Sequence, residues 1–265
     1  MNEIHPTAIV SPNSDIRNNV YIGPYAIIEE NTRISNDCRI DAHSIIRSGT
    51  RLGENVKVDS HCVLGGHPQH LKFKPETISF AEIGANTVIR EHVTIHRALE
   101  ENHSTRVGEN CFLMGSSHVG HDAVVGYHTI IAQGALLGGH VEIGSNVFIG
   151  GGAALHQFIR VGSGVMMGGG AVVTYDVPPY LTVAERNQLS GLNMVGLRRR
   201  NTDQDSIREL KRLHNIVLTK SINPATLCDH ARKLGLGKTE LGKEFLDFFE
   251  VKNRQYCKPK KRSRI

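Results

Sequence analysis

Set out in sixes, residues 106–175 read RVGENC FLMGSS HVGHDA VVGYHT IIAQGA LLGGHV EIGSNV FIGGGA ALHQFI RVGSGV MMGGGA VVTY. The second place holds Val107, Leu113, Val119, Val125, Ile131, Leu137, Ile143, Ile149, Leu155, Val161, Met167 and Val173, all aliphatic or Met. The same period opens the chain at Ile4, Val10, Ile16, Ile22, Ile28, Ile34, Ile40, Ile46, Leu52, Val58 and Leu64. Two places earlier the residue is small or β-branched, as at Ala26, Thr32, Cys38, Ser44 and Cys62. Six is not a helical period. It suits short parallel strands joined by tight corners, with the aliphatic residue inward and the small residue beside it inside the coil, because strand side chains alternate. Three sixes make one triangular turn, and stacked turns bury a continuous aliphatic column.

The register breaks twice, at residues 65–80 and 97–105, and resumes between them at Ile83, Ile89 and Ile95. A coil accepts extra residues only as loops leaving a corner, and such loops often bind ligands. Asp176-Val177-Pro178-Pro179-Tyr180 is expected to close the coil, since Pro donates to no ladder. A link through residues 192–200 then leads to three helices. The first is capped by Thr202 or Asp203, the second runs from Asn223-Pro224 to Gly235, and the third carries Leu241, Phe245, Leu246, Phe248 and Phe249. The expected division is a coil over 1–185 and a helical domain with a basic tail over 186–265.

Composition agrees with this plan. Of 265 residues, 39 % are hydrophobic but only 5 % aromatic, with no Trp, so the core must be aliphatic. Five widely spaced cysteines without a CxxC pair point away from a disulfide framework or structural zinc and toward a reducing, cytoplasmic setting. The N-terminus shows no leader pattern, and no apolar run is long enough to span a membrane. The net charge of +5 belongs to the end of the chain, because residues 252–265 hold seven Lys or Arg and no acid. Such a run is a solvated end or an attractor for an acidic partner. No nucleic-acid partner, metal or organic cofactor is expected.

His118-Val119-Gly120-His121-Asp122, Gly138-Gly139-His140, Leu155-His156-Gln157-Phe158, Asp176-Val177-Pro178-Pro179-Tyr180 and Gly191-Leu192-Asn193 to Arg199-Arg200 follow one another along the chain, after the loop Pro68-Gln69-His70-Leu71-Lys72-Phe73. Together with the hexapeptide period they resemble the left-handed β-helix acyltransferases, and within them the acyl-carrier-protein-dependent UDP-N-acetylglucosamine O-acyltransferase family of lipid A synthesis. The resemblance covers nearly the whole chain. It implies a homotrimer, acyl carrier protein as donor and a UDP-sugar as acceptor.

From the residues alone, His121 beside Asp122 offers a base whose unperturbed pKa lies near ~6.5, with a carboxylate to fix its tautomer. The resemblance makes His121 the base, Asp122 its assistant and the Gly139 N–H the oxyanion donor. It further implies sugar-nucleotide contacts from Gln69, His70, Lys72, His118, His140, His156 and Gln157, and uridine or phosphate contacts from Asn193, Arg199 and Arg200. Gly169 would leave room for a long 3-hydroxyacyl chain. No nucleophilic Ser or Cys stands out, which favours direct transfer. Three positions depart from the family pattern: His70 replaces an Asp, Arg186 a Gly and Val195 a Glu. The first keeps a 3-amino sugar nucleotide, acylated on nitrogen, as an alternative acceptor. Other classes remain as well: a coenzyme A acetyltransferase, a zinc enzyme built on His118, His121 and His140, and a non-catalytic scaffold.

Overall fold

The computed structural model describes residues 1–218, 224–251 and 253–259. The sixes form strands mostly two residues long, arranged on three faces. Face 1 starts with Glu3–Ile4 and Tyr21–Ile22, face 2 with Ile9–Val10 and Ile27–Ile28, and face 3 with Asp15–Ile16 and Arg33–Ile34. Within the regular coils each strand pairs in parallel with the strand 18 residues on, as Glu3 with Tyr21, Ile9 with Ile27 and Asp15 with Arg33. The result is a left-handed parallel β-helix of triangular section with a helical C-terminal part.

The column of second-place residues is its core. Ile22, Ile28, Ile34, Ile40 and Ile46 are each at most 1 % exposed, and burying one such side chain contributes about 1.5–3 kcal/mol. Cys38, Cys62 and Cys111 occupy the small inward place and are buried. Burial raises the Cys38 and Cys62 thiols to about 11 and about 12, so they pack rather than react. Inward hydroxyls are bonded: Ser44 Oγ donates to Asp59 O at 2.8 Å and Thr87 Oγ1 to Gly108 O at 2.9 Å.

The corners explain the rest of the pattern. At most of them a residue takes a left-handed conformation. Corner 1, before face 1, uses Asn19, Asp37, Asn55 and Asn86 at φ 53–62°. Corner 2, before face 2, uses Tyr25, His43, His61 and His92 at φ 58–64°. Corner 3, before face 3, uses Asn31 and, further along, Asp122, His140 and Phe158 at φ 55–67°. Asn and Asp tolerate this region better than most residues.

Both register breaks fall at corner 3. Val63 pairs with Thr94 and Thr94 with His118, spacings of 31 and 24 instead of 18. The loops are tighter than the sequence suggested. Strand pairing holds to Gly66 and resumes at Phe80, then holds to His96 and resumes at Ser104.

Two expectations for the end of the coil are corrected. The Pro pair does not stop it. Pro179 sits at a corner against Gly162, and Leu181–Ala184 still adds in parallel to Met166–Met167. A hairpin then brings back Gln188–Leu192 antiparallel. Nor is the stretch after it a plain link: Met194–Arg199 is a helix, α1, capped by the Asn193 side chain. Helices α2 (Gln204–Val217), α3 (Pro224–Lys233) and α4 (Glu240–Asp247) follow. Asp203 caps α2, and Gly235 leaves α3 at φ +73°. Phe245 and Phe249 are buried among these helices. Buried Asp176 ties the end of the coil to the last segment, accepting from Arg160 Nε at 2.9 Å and Arg254 Nη2 at 2.7 Å. Lys252 and the basic run beyond Pro259 lie outside the described residues.

Candidate active site

Corner 3 holds the titratable cluster. His121 closes one coil just before the left-handed Asp122. One coil on, His140 takes the place equivalent to Asp122, and Phe158 takes it one coil further. The rings of His140 and Phe158 therefore stack at 4.5 Å, and His121 meets His140 edge-on at 5.1 Å. The two loops cover this edge of the prism. His121 is only 9 % exposed.

Asp122 is the hub. Its Oδ2 lies 2.7 Å from His121 Nδ1, accepts the Leu99 N–H at 2.9 Å and stands 3.8 Å from His140 Nε2. Its backbone N–H donates to Thr105 Oγ1 at 2.7 Å. Burial pushes the carboxyl's pKa up, but the His121 hydrogen bond and the Leu99 N–H outweigh it, and the net shift is downward. An ionised Asp122 can only accept, so the proton of His121 sits on Nδ1 and the lone pair on Nε2.

The free nitrogen faces Gly139. A Cβ on Gly139 would fall 2.8 Å from His121 Nε2, so no other residue fits there without displacing the imidazole. The neighbouring Gly138 N–H donates to Leu155 O at 3.0 Å, whereas the Gly139 N–H has no partner among the described residues. An unpaired backbone donor thus stands beside an imidazole lone pair, which is the combination that proton removal with oxyanion stabilisation requires.

His118 lies one strand earlier on face 2. Its Nδ1 is 2.7 Å from Thr94 Oγ1, and its ring meets His96 edge-on at 4.6 Å. Burial, then the charge of His121, lowers its pKa. His96 is buried and its pKa falls to about 4, chiefly through desolvation and then through His118 and His121. From the loop, His70 meets His121 edge-on at 6.1 Å. Gln69 and Lys72 are exposed in the same loop, and the Lys72 N–H donates to His70 Nδ1 at 3.3 Å. His156 and Gln157 are exposed at corner 3 beside Phe158, with His156 Nδ1 3.1 Å from Gln157 O.

Other expected residues lie elsewhere on the chain. Gly169 is exposed at corner 2 beside the left-handed Gly170. Asn193 and Arg200 lie at corner 1, where Asn193 Nδ2 donates to Gly164 O at 2.9 Å and Arg200 Nη1 reaches Asn146 O at 3.5 Å. Arg199 is exposed on α1. Thus one chain presents His121 on one edge and this set on others. The zinc triad imagined from the sequence is also corrected. Among the described residues, the ligand atoms that converge within 4.8 Å belong to His121, Asp122 and His140, while His118 turns to Thr94.

Four contributors went unrecognised in the sequence: Thr94, His96, the Leu99 N–H and Phe158. Phe158 had a signal, being 18 residues after His140 on the same corner. Thr94 shares a strand register with His118 once the loop is discounted. The Leu99 N–H had none, because it is backbone in an insertion.

A carboxylate-held imidazole on a hexapeptide coil defines the class as the β-helical acyltransferases. The chain matches the bacterial transferase hexapeptide family over residues 31–66 and the family described as UDP N-acetylglucosamine O-acyltransferase, domain 2, over residues 176–257. It is 55 % identical to an acyl-[acyl-carrier-protein]–UDP-N-acetylglucosamine O-acyltransferase of Sulfurihydrogenibium sp., covering 96 % of this chain and 94 % of that one. A protein of the same name from Akkermansia muciniphila is 45 % identical over 97 % of this chain and all of its own. Among solved structures, a UDP-N-acetylglucosamine acyltransferase from Bacteroides fragilis superposes with TM-score 0.89 at 33 % identity, covering 97 % of this chain and 99 % of that one. The chain belongs to the acyl-[acyl-carrier-protein]–UDP-N-acetylglucosamine O-acyltransferase family, and it is an acyltransferase.

Proposed function

We propose that the protein transfers a (3R)-3-hydroxyacyl chain from the thioester of acyl carrier protein to the 3-hydroxyl of UDP-N-acetylglucosamine, in one direct step, as the first step of lipid A synthesis in the cytoplasm. His121 Nε2 takes the hydroxyl proton as the oxygen attacks the thioester carbonyl. Asp122 holds the tautomer and stabilises the imidazolium. The Gly139 N–H donates to the oxyanion, and the carrier's thiol leaves with a proton returned by His121. The observation that carries this reading is the pairing of a lone pair fixed on His121 Nε2 with the unpartnered Gly139 N–H.

His70, His118 and His140 surround the base and are suited to hold the sugar, with Gln69, Lys72, His156 and Gln157 at the rim. Asn193, Arg199 and Arg200 bind the uridine and phosphates of a nucleotide seated against another copy of the chain, because corner 1 is a different edge of the prism from corner 3. Gly169, on corner 2, leaves space for the acyl chain. A trimer fits the outer surfaces. Face 2 presents Ile9 and Leu136 at 65 % and 51 % exposure. Face 1 presents Phe112, Ile130, Phe148 and Met166, whereas face 3 presents Arg33, Arg51, Glu82 and Arg106. Two apolar faces flanking corner 2 suit three copies packed around a common axis.

The test is turnover of acyl-carrier-protein thioesters with UDP-N-acetylglucosamine and with its 3-amino analogue, beside light scattering for the trimer. His121→Ala is expected to lose about 10³-fold or more in kcat while remaining folded and trimeric. Near-normal turnover in that variant refutes the base assignment. Preference for the amine would place the acceptor's identity at His70.

A further inference from the structure

Beside corner 1, Tyr180 and Glu244, which the function proposed above does not use, form a triad with Arg200. Tyr180 is buried in a left-handed corner at φ 64°, and its hydroxyl donates to the Glu244 carboxylate from α4. The Arg200 guanidinium lies over the Tyr180 ring, 5.9 Å from its centroid. Gly164 makes the space, since a Cβ there would fall 2.6 Å from Arg200 Nη2 and 2.7 Å from Tyr180 Cδ1. Among the described residues, Arg200 Nη2 is buried without a hydrogen-bond partner and Nη1 has only its long contact to Asn146 O. Burial lowers the Arg200 pKa, while Tyr180 and Glu244 act the other way, so the carboxylate is close enough for its charge to be felt.

A buried guanidinium with a spare donor and a carboxylate within electrostatic reach would ordinarily pair. No such ion pair forms among the described residues. The carboxylate is instead taken by the phenol.

We propose that Tyr180 is a positioning residue that occupies Glu244 and so keeps the Arg200 guanidinium unpaired for an anionic ligand. The ligand rests on the function proposed above: it is the diphosphate of the sugar nucleotide. Glu244 contributes a local negative charge that holds the arginine extended over the ring. The phenol prevents that charge from becoming the arginine's partner. Loss of the hydroxyl leaves Glu244 to compete with phosphate for one fork of donors.

The variants are Tyr180→Phe, Glu244→Gln, the double variant and Arg200→Ala. Each is checked for fold and trimer, then measured for kcat and for KM of UDP-N-acetylglucosamine. Tyr180→Phe is expected to raise KM by roughly 3- to 10-fold with kcat within about twofold, the size of one partly exposed competing ion pair. Adding Glu244→Gln is expected to restore KM to within about twofold of the parent. A merely structural loss would not be rescued that way. An unchanged KM in Tyr180→Phe, or a double variant as impaired as the single, overturns the proposal. The underlying reading fails separately: Arg200→Ala with an unchanged KM would remove Arg200 from the nucleotide site. A crystal structure of Tyr180→Phe without substrate reads the device itself, with Glu244 expected within 4 Å of Arg200. A Glu244 that stays apart refutes it.

Discussion

Two corners of the prism carry stacks of rings, and only one of them sets an imidazole against a carboxylate. At corner 2, Tyr25, His43, His61 and His92 stack face to face at 4.9–5.1 Å with their planes within 12°. At corner 3, His121, His140 and Phe158 stand at similar spacing. His140 and Phe158 take the same left-handed place as the corner 2 rings, whereas His121 stands one residue before it, next to Asp122. The surroundings differ as well. The corner 2 imidazoles are exposed and have no hydrogen-bond partner among the described residues. Corner 3 receives both loops, and they bring the Leu99 N–H onto Asp122. On the proposed reading, a histidine on this scaffold becomes a base through the carboxylate that follows it in the repeat and through what covers its corner.

The sharpest break in that contrast is Asp122→Asn. Asn keeps the shape and tolerates the φ of 59°. Its amide would donate to His121 Nδ1, however, moving the ring proton to Nε2 and removing the lone pair from the reacting side. A loss of about 10²–10⁴ in kcat is expected, with KM little changed and the fold intact. Steady-state kinetics decide it, and a wild-type kcat would show that the carboxylate only packs.

Next in size is Gly139→Ala. The added Cβ meets the His121 ring at 2.8 Å, so the imidazole must rotate off Asp122. A kcat loss of about 10²-fold is expected. The thermal midpoint should move little, because Gly139 is part-exposed and at negative φ. A parallel change at Gly152, where φ is +64° but nothing lies within 4 Å of the added Cβ, should affect stability more than rate.

These two experiments also mark how far the sequence could be read. The coil was legible because every turn needs an inward aliphatic residue, and no alternative packing tolerates that column. His121 and Asp122 were legible as neighbours in the chain. The Leu99 contact was not, because it depends on how a loop without periodicity folds back. The strand Leu181–Ala184 was hidden because a Pro pair ordinarily ends a ladder, yet here the prolines fall at a corner, where no ladder donor is needed. Asn193 looked like a ligand contact, and in the chain it also caps α1 and anchors it to Gly164. Residues at element ends carry several demands at once, and the local sequence shows only one.

A third test compares the corners through protons. The folded His96 pKa is about 4, lowered by burial and then by His118 and His121, whereas the unfolded chain titrates near ~6.5. Above that value the group is neutral in both states and costs nothing. As the pH falls toward 4 the unfolded chain takes up the proton first, so stability is lost across this window, on the order of 2 kcal/mol. Denaturant unfolding between pH 7 and 4 should show that slope, and His96→Phe should flatten it in part, since the His118 pKa is also lowered. An unaltered slope would mean that the buried imidazoles are not the titrating groups.

The smallest expected effect completes the comparison. His61 stacks on His43 at 4.9 Å and on His92 at 5.1 Å. His61→Asn keeps a residue at ease with φ of 64° and removes both ring contacts. Exposed stacks of this kind are worth about 0.5 kcal/mol beyond their area, so the melting temperature should fall by about 1–2 °C in a chain of this size. Turnover should stay within about twofold of the parent. The stack at corner 2 can lose a ring without chemical consequence because, among the described residues, no carboxylate is hydrogen-bonded to an imidazole there to fix its tautomer. A large loss of turnover in His61→Asn would show that the two corners are coupled, and that the coil transmits more than register.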